Sequence, residues 1–212
     1  AAFYAWIESP TRRWQDEVRV GDVILVCDIG GGTTDFSLIL VSEKAGELFL
    51  ERIAVGEHIL LGGDNMDLSL AYAIRNRLAA EGTKLDGWQM RGLLHSARQA
   101  KEALFADSER ASHPVTILGK GRGVVGGTIT TELTQDELGR VILEGFFPKC
   151  APSDRPTEKR HAGLKELGLP YASDPAVTRH LAWFLSRHQS DRELQGKPVQ
   201  PTAILFNGGV MK

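Results

Sequence analysis

The stretch of sequence that decides the fold reads Asp28-Ile-Gly-Gly-Gly-Thr-Thr-Asp35. An apolar, β-branched run from Val23 to Val26 comes before it and predicts a buried strand. The segment from Phe36 to Val41 stays largely apolar and predicts a second strand, and Glu47 to Val55 predicts a third. The three glycines therefore stand at a strand–turn–strand corner, and we predict a strand meander with a glycine hairpin at its first corner.

The composition of this turn is typical of an anion-binding loop. Gly30-Gly31-Gly32 carries no side chains, so its backbone N–H groups can form a concavity that binds anions. Thr33 and Thr34 add hydroxyl donors. Asp28 and Asp35 flank the turn, and such carboxylates suit Mg²⁺, usually through water, while the metal bridges to phosphate. A plain glycine hairpin without a ligand is the alternative interpretation of this motif alone.

Two common phosphate-binding motifs are excluded at this position. The turn is not a Walker A loop, because no Gly-Lys-Ser/Thr follows the glycines. It is not a dinucleotide fingerprint either, because that motif requires a helix after the glycines, where this sequence predicts a strand. A phosphate held at a strand–turn–strand corner resembles the arrangement in actin-like ATPases.

A second glycine motif comes before a predicted helix. Gly62-Gly63 precedes Asp64, a plausible helix cap, and apolar residues then recur every four positions up to Leu78. A glycine pair there lets a ligand reach the N-terminus of the helix. A capped strand-to-helix turn is the alternative. His58, just upstream, is interpreted as a loop residue, because no partner stands at metal-ligand spacing.

A lysine stands on the apolar face of the next predicted helix. At 3.6 residues per turn, Lys101 falls between Leu94, Ala97 and Leu104. A lysine in that place costs free energy unless its amine reaches solvent or meets an acceptor. Contact with solvent and contact with a ligand both remain open.

The end of the sequence carries a third glycine motif. Ala203 to Phe206 predicts a buried strand that runs into Gly208-Gly209, which allows close approach of a ligand or forms an ordinary βα turn. Between the motifs, Val115 to Leu118 and Thr128 to Leu133 predict strands. Thr134 with Glu137 predicts a capping box.

A long polar segment separates these elements from the last strand. Residues 148–173 are rich in proline and charge and predict a loop with a short helix around Leu164. Asp174-Pro175 predicts the start of another helix.

Bulk properties limit the class of protein. Apolar residues make up 42% of the 212 residues and charged residues 25%, as in an ordinary globular protein. The net charge of -2 gives no indication of a nucleic-acid partner, and no apolar run is long enough to span a membrane. The two cysteines, Cys27 and Cys150, are too sparse for a disulfide framework, so we expect a reducing, cytoplasmic compartment.

The order of the motifs is the most specific signal. This order resembles the sequence plan of the DnaK-like heat-shock chaperones. It consists of Asp-x-Gly-Gly-Gly-Thr-x-Asp, then Leu-Gly-Gly-Asp-x-x-Asp, then an Ala-Lys helix, and last an apolar strand that ends in Gly-Gly. This family belongs to the actin-like ATPase superfamily, and the resemblance covers nearly the whole chain. A long stretch over residues 147–200 exceeds the family plan and indicates a divergent bacterial branch.

The resemblance implies a fold in which nucleotide and Mg²⁺ lie between two lobes. This chain would be a fragment, the second lobe, of mixed α/β class with a ribonuclease H-like core. Residues 18–61 and 134–212 would form that core subdomain, and residues 62–133 an inserted α+β subdomain.

The resemblance also implies roles for individual residues. Asp28 would be the catalytic residue and would hold Mg²⁺ through water, and the glycine turn with Thr33 would contact the terminal phosphates of ATP or ADP. Gly62, Gly63 and Lys101 would line the nucleoside, and Gly208 and Gly209 would lie against the α-phosphate and adenosine. The predicted nucleotide-binding residues are Gly30, Gly31, Gly32, Thr33, Asp35, Gly62, Gly63, Lys101, Gly208 and Gly209.

Three positions depart from the family pattern. The family commonly has Glu where this chain has Arg98, Ser where it has Phe105, and Arg where it has Lys212. The first two positions touch ribose and base in the family, so the resemblance does not imply that adenine recognition is retained. A first phosphate loop and a γ-phosphate lysine would belong to a first lobe preceding Ala1, so we expect this fragment alone to be half a site and inactive.

The intact protein would be an ATP hydrolase that couples hydrolysis to binding and release of unfolded polypeptides. Its partners would be those clients, a J-domain co-chaperone and a nucleotide exchange factor. A bacterial actin-like filament or scaffold protein is the main alternative, because it shares the glycine turn and the Gly-Gly-Asp motif. A sugar or acid kinase is a weaker alternative, and a lobe that folds without binding nucleotide is a further one.

Overall fold

The structure is a computed structural model that describes residues 6–8, 10, 13–119, 127–157, 172–189, 193–194, 197–198 and 200–211. In chain order its elements are β1 (Val23–Ile29), β2 (Thr34–Lys44), β3 (Glu47–Val55), α1 (Gly63–Ala80), α2 (Gly87–Ala106), β4 (Ser112–Ile117), β5 (Ile129–Thr134), α3 (Gln135–Leu138), α4 (Val177–Gln189), β6 (Glu193–Leu194), β7 (Lys197–Pro198) and β8 (Ala203–Asn207). The chain is therefore mixed α/β, as predicted.

The contacts divide the chain into two compact units. The first unit comprises Ala1–Gly63 and Lys149–Lys212, and the second comprises Asp64–Pro148. The sequence pattern placed residues 134–148 with the core subdomain, whereas the structure groups them with the second unit. The reason is local pairing, because Thr134 lies opposite Ser112 in the β4–β5 hairpin and the Gln135 side chain donates to the Leu104 carbonyl at 3.1 Å.

The first unit is built on a four-stranded sheet in the order β3-β2-β1-β8. The β1–β2 and β2–β3 pairs are antiparallel, and β8 runs parallel to β1. This arrangement confirms the predicted meander and the predicted last strand, but Ile204 and Phe206 of that strand are about half exposed and not buried as predicted. It also brings the end of the described chain beside the first strand, so that the ends of β1 and β8 lie next to each other.

Both faces of β1 are covered, which explains its continuous apolar run. On one face Ile24 and Val26 belong to a buried cluster with Trp14, which lies in a short 3₁₀ turn. On the other face the Phe36 ring of β2 stacks on Phe184 of α4, with ring centroids 5.8 Å apart. A strand buried on both sides gains stability from an apolar residue at every position.

The second unit packs two helices with the antiparallel β4–β5 hairpin. The buried stripe of α2 consists of Leu93, Ala97, Ala100 and Leu104, close to the predicted pattern. The Thr134 hydroxyl accepts a hydrogen bond from the Glu137 amide at 3.1 Å, which confirms Thr134 as a helix cap. Beyond α3 the helix continues as a π-helical segment, Gly139–Glu144.

The structure confirms the remaining sequence predictions only in part. The Asp174 carboxylate accepts from the Ala176 amide at 2.9 Å, and α4 begins at Val177, so the predicted helix start is confirmed. The short helix predicted around Leu164 lies outside the described residues, as does most of the turn between β4 and β5.

Among the helices that the structure describes, none is long and apolar enough to cross a membrane.

Candidate functional site

The glycine turn closes the β1–β2 hairpin. Asp28 lies directly opposite Asp35 in the register, and Ile29 lies opposite Thr34. The Gly30 amide donates to the Thr33 carbonyl at 2.8 Å and closes the turn. The two glycines at its tip, Gly31-Gly32, are exposed. The predicted strand–turn–strand corner is therefore present, with two carboxylates at the base and bare backbone at the tip.

Two other glycines pack directly against this turn. A Cβ atom on Gly62 would lie 2.5 Å from the Gly30 carbonyl oxygen, and one on Gly208 would lie 2.0 Å from the Ile29 carbonyl oxygen. Gly208 also has a φ of +92°, a conformation that side chains disfavour. The Gly63 amide donates to the Gly30 carbonyl at 3.0 Å. Contact with the chain's own backbone is therefore a sufficient reason for glycine at Gly62 and Gly208.

Gly32 and Gly209 differ from these packed glycines. A Cβ atom on either would have no neighbouring atom within 4 Å, and neither has a positive φ. Both residues are exposed. The fold requires glycine at neither position, so these two bare backbone positions remain open for approach by a ligand.

The two carboxylates at the base of the turn are held by Asn207 and His58, for which the sequence predicted no such role. The Asn207 amide donates to Asp28 Oδ2 at 2.8 Å, across the β1–β8 pair. The His58 Nδ1 atom lies 2.8 Å from Asp35 Oδ1, and both side chains are about half exposed. Asn207 stands immediately before Gly208-Gly209, at the end of the strand that pairs with β1. This position was the only sequence feature that could have indicated a role for Asn207 in the site.

Thr34 does not serve as the donor that the sequence suggested. Its side chain is fully buried, and its hydroxyl donates to the Leu61 carbonyl at 2.8 Å. The Thr34 amide also donates to the Ile59 carbonyl at 2.9 Å. Thr34 therefore fastens the turn to the following loop, and Thr33 is the threonine left beside the exposed tip.

Lys101 lies in the second unit, where its acceptor is a buried carboxylate. Lys101 Nζ is 2.6 Å from Asp67 Oδ1, and the Asp67 side chain is 2% exposed. Arg98 Nε donates to Asp67 Oδ2 at 2.5 Å, and Arg98 Nη2 also pairs with Asp64. The hydrogen bond with Asp67, more than any other contact, raises the pKa of Arg98. The amine of Lys101 therefore meets an acceptor of its own chain, and we call these four residues the ion cluster.

The structure brings most of the predicted site residues together within the first unit. Asp28, Asp35, the glycine turn, Thr33, Gly62-Gly63 and Gly208-Gly209 all belong to one corner of its sheet. Lys101 belongs to the second unit, as do Arg98 and Phe105, whose ring is 53% exposed. Lys212 lies outside the described residues.

Comparison with known proteins shows which proteins this chain is similar to. The chaperone protein HscA of Photorhabdus laumondii is 43% identical over 82 residues, which cover 39% of this chain and 12% of that protein. An HscA homolog of Vibrio vulnificus is 37% identical over 128 residues, covering 60% of this chain and 18% of that protein. The predicted resemblance to the DnaK-like chaperones is confirmed.

The similarity extends over only part of each protein. An HscA homolog of Shewanella loihica is 29% identical over 128 residues, which again cover 60% of this chain and 19% of that protein. The chain thus spans less than a fifth of the length of these curated relatives. No family model matches the chain.

Proposed function

We propose that this chain is the second lobe of the nucleotide-binding part of a DnaK-like chaperone, with an actin-like ATPase fold. In that role the first unit supplies one side of a clamp for the phosphates of ATP or ADP with Mg²⁺. The observation that carries the proposal is the exposed glycine turn, flanked by cross-strand carboxylates and packed against two further glycine segments. The HscA relatives support it, because their names describe chaperones.

The residues of this corner fit a phosphate with a magnesium ion. Exposed backbone at Gly31-Gly32 offers N–H donors for phosphate oxygens. Asp28 and Asp35 lie opposite each other at the base, and Mg²⁺ is usually held by one or two carboxylates together with phosphate oxygens and water. Among the described residues no three His, Cys, Asp or Glu side chains are grouped so as to hold a metal by themselves. Bound Mg²⁺ would neutralise charge on the phosphates.

The packing around the turn would give this site its rigidity. Gly62 and Gly208 contact the backbone at Ile29 and Gly30 from the protein's own interior, while Gly32 faces open space. Asn207 fixes the Asp28 carboxylate through its amide. Groups held in place before the ligand arrives stabilise developing charge without reorganising, so the chain would contribute positioning and hydrogen bonds.

The second unit would contribute little net charge to nucleotide binding. In the ion cluster, Lys101 and Arg98 face two carboxylates of the same unit, Asp64 and Asp67. The nucleoside side would therefore offer packing and uncharged contacts, and we expect weak discrimination among nucleosides.

The intact protein would hydrolyse ATP in the cytoplasm and couple hydrolysis to binding and release of unfolded polypeptides. A J-domain co-chaperone and a nucleotide exchange factor would be its partners. The chaperone names of the relatives favour this proposal over an actin-like filament or scaffold protein. A β-rich domain with a helical lid after the nucleotide-binding part would mark the chaperone, whereas a filament protein would lack it.

The test uses the whole two-lobe protein. Asp28→Asn keeps the size of the side chain but removes its charge, and we expect loss of most Mg²⁺-dependent ATP hydrolysis, by about 100-fold. Glu43→Gln, which changes an exposed carboxylate at the far end of β2, is the matched control. Calorimetry of the unsubstituted protein with MgATP should give binding heat. Unchanged turnover in Asp28→Asn, or no heat with MgATP, would refute the proposal.

A further inference from the structure

The first unit contains a pocket that the proposed phosphate site does not use. It has a volume of about 380 Å³ and lies between the loop that follows β3 and helix α4. Pockets of roughly 300 to 1,000 Å³ are of the size that binds small molecules.

The walls of this pocket are mainly aromatic and aliphatic. Phe36, Trp183 and Phe184 line it, and the Phe36 ring is 2% exposed. A Cβ atom on Gly56 would lie 3.2 Å from the Phe184 ring, so glycine there leaves space for that ring. At the rim, Val55 is 59% exposed. Phe36 and Phe184 are themselves buried. A flat apolar ligand would therefore cover the partly exposed surfaces of Trp183 and Val55, and contact with the Trp183 ring would add to the gain.

The polar groups of the pocket carry an excess of basic side chains. Arg187 and three histidines line it, whereas Glu57 is the single acidic residue among its lining side chains that the structure describes. The His180 Nε2 atom lies 2.9 Å from the Asp174 carbonyl oxygen and must donate to it, which fixes the orientation of that ring. Among the lining side chains that the structure describes, Arg187 is the single arginine or lysine, so the anionic end of a ligand would pair with it.

Arg187 is the group best placed to hold such an anion. Its guanidinium lies 5.0 Å from the centroid of the Trp183 ring and 2.9 Å from Glu57. The side chains of Arg187 and Glu57 are 53% and 71% exposed, and exposed ion pairs of this kind are weak. The guanidinium can therefore exchange Glu57 for a ligand carboxylate, which it can bind through two parallel hydrogen bonds.

We propose that this pocket binds a small planar aromatic carboxylate. The ring packs against Trp183, and the carboxylate replaces Glu57 on Arg187. A pocket of this size accommodates a single bicyclic ring system. The proposal assigns its ligand contacts to residues outside the phosphate site, and the two sites adjoin at His58, which lines the pocket and lies 2.8 Å from Asp35 Oδ1.

The experiment titrates the chain with indole-3-carboxylate and follows binding by calorimetry and by NMR. Indole-3-carboxamide, which has the same shape but no charge, is the control ligand. Arg187→Gln should weaken binding of the carboxylate by about 10-fold or more, because a charge-assisted hydrogen bond is lost. Arg91→Gln, which changes an exposed arginine of α2, should leave the affinity unchanged.

Glu57→Gln separates a binding role from a structural one. It removes the anion that competes for Arg187, so binding of the carboxylate should become several-fold stronger. If the ion pair only stabilised the fold, both Arg187→Gln and Glu57→Gln would weaken binding, and that result would overturn the proposal. Equal affinity for the carboxylate and the carboxamide, or no binding at millimolar concentration, would overturn it as well. If no binding is seen at millimolar concentration, the pocket would instead accommodate an apolar side chain of a partner protein.

Discussion

The glycine corner of the first unit and Lys101 of the ion cluster were predicted as parts of one site, yet the glycine corner and the ion cluster are built by opposite means. In the glycine corner the contacts depend on missing side chains, since Gly62 and Gly208 touch the backbone of the turn. In the ion cluster they depend on charged side chains that neutralise one another around Asp67. Bare backbone donors thus remain exposed in the first region, while the charges of the second are engaged within the chain.

Gly208→Ala is the substitution for which we expect the largest change in unfolding free energy. The added methyl group would meet the Ile29 carbonyl oxygen and force a positive φ on alanine, so we expect a loss of more than about 4 kcal/mol of unfolding free energy. Gly209→Ala, the neighbouring open position, should change it by less than about 0.5 kcal/mol. Urea denaturation followed by circular dichroism measures both, and equal losses would show that the two glycines do not differ.

A somewhat smaller effect is expected at the centre of the ion cluster. Asp67→Ala leaves Lys101, whose side chain is only 13% exposed, without its carboxylate, and we expect a loss of about 3 kcal/mol. Asp64→Ala removes a carboxylate that is 53% exposed and should cost less than about 1 kcal/mol. Thermal and urea unfolding of the two variants provide the comparison. If Asp67→Ala proved as mild as Asp64→Ala, the cluster would not stabilise the second unit.

The third prediction is that a buried carboxylate, Asp174, stabilises the first unit at the start of α4. Burial by itself would raise the pKa of Asp174, but hydrogen bonds from Arg179 and from the Thr157 and Ala176 amides outweigh it and hold that pKa well below its usual range. A group whose pKa is lowered by folding stabilises the protein above its unfolded pKa, near 3.9, and loses that contribution as pH falls towards its folded value.

The expected contribution of Asp174 at neutral pH is on the order of 2 kcal/mol, and it should decline below about pH 4. Asp174→Asn should therefore be less stable than the original chain at pH 7 and should lose less stability on acidification. Urea unfolding at a series of pH values from 7 to 2.5 measures the difference. Parallel pH profiles for the two proteins would contradict this role of the carboxylate.

The sequence predicted the local features of the fold well. The apolar run of β1, the glycine hairpin and the Thr134 and Asp174 caps are each decided within a few residues, and the structure shows all of them. The predicted boundary at residue 134 could not take account of distant contacts, since the segment after Thr134 groups with the second unit through pairing with Ser112 and contact with α2. Thr34 was taken for a donor at the turn, although the loop around Leu61 buries its hydroxyl.

The sequence by itself determined that a glycine turn between two carboxylates follows a buried strand, and motif order alone indicated the DnaK-like family. Only the tertiary structure decided which glycines the chain itself requires and which stay open. It also decided that Asn207 holds Asp28 across 179 positions of sequence and that Lys101 meets Asp67. The physical reason is that turns and caps depend on neighbours along the chain, whereas backbone contacts and ion pairs depend on strand register and packing between distant segments.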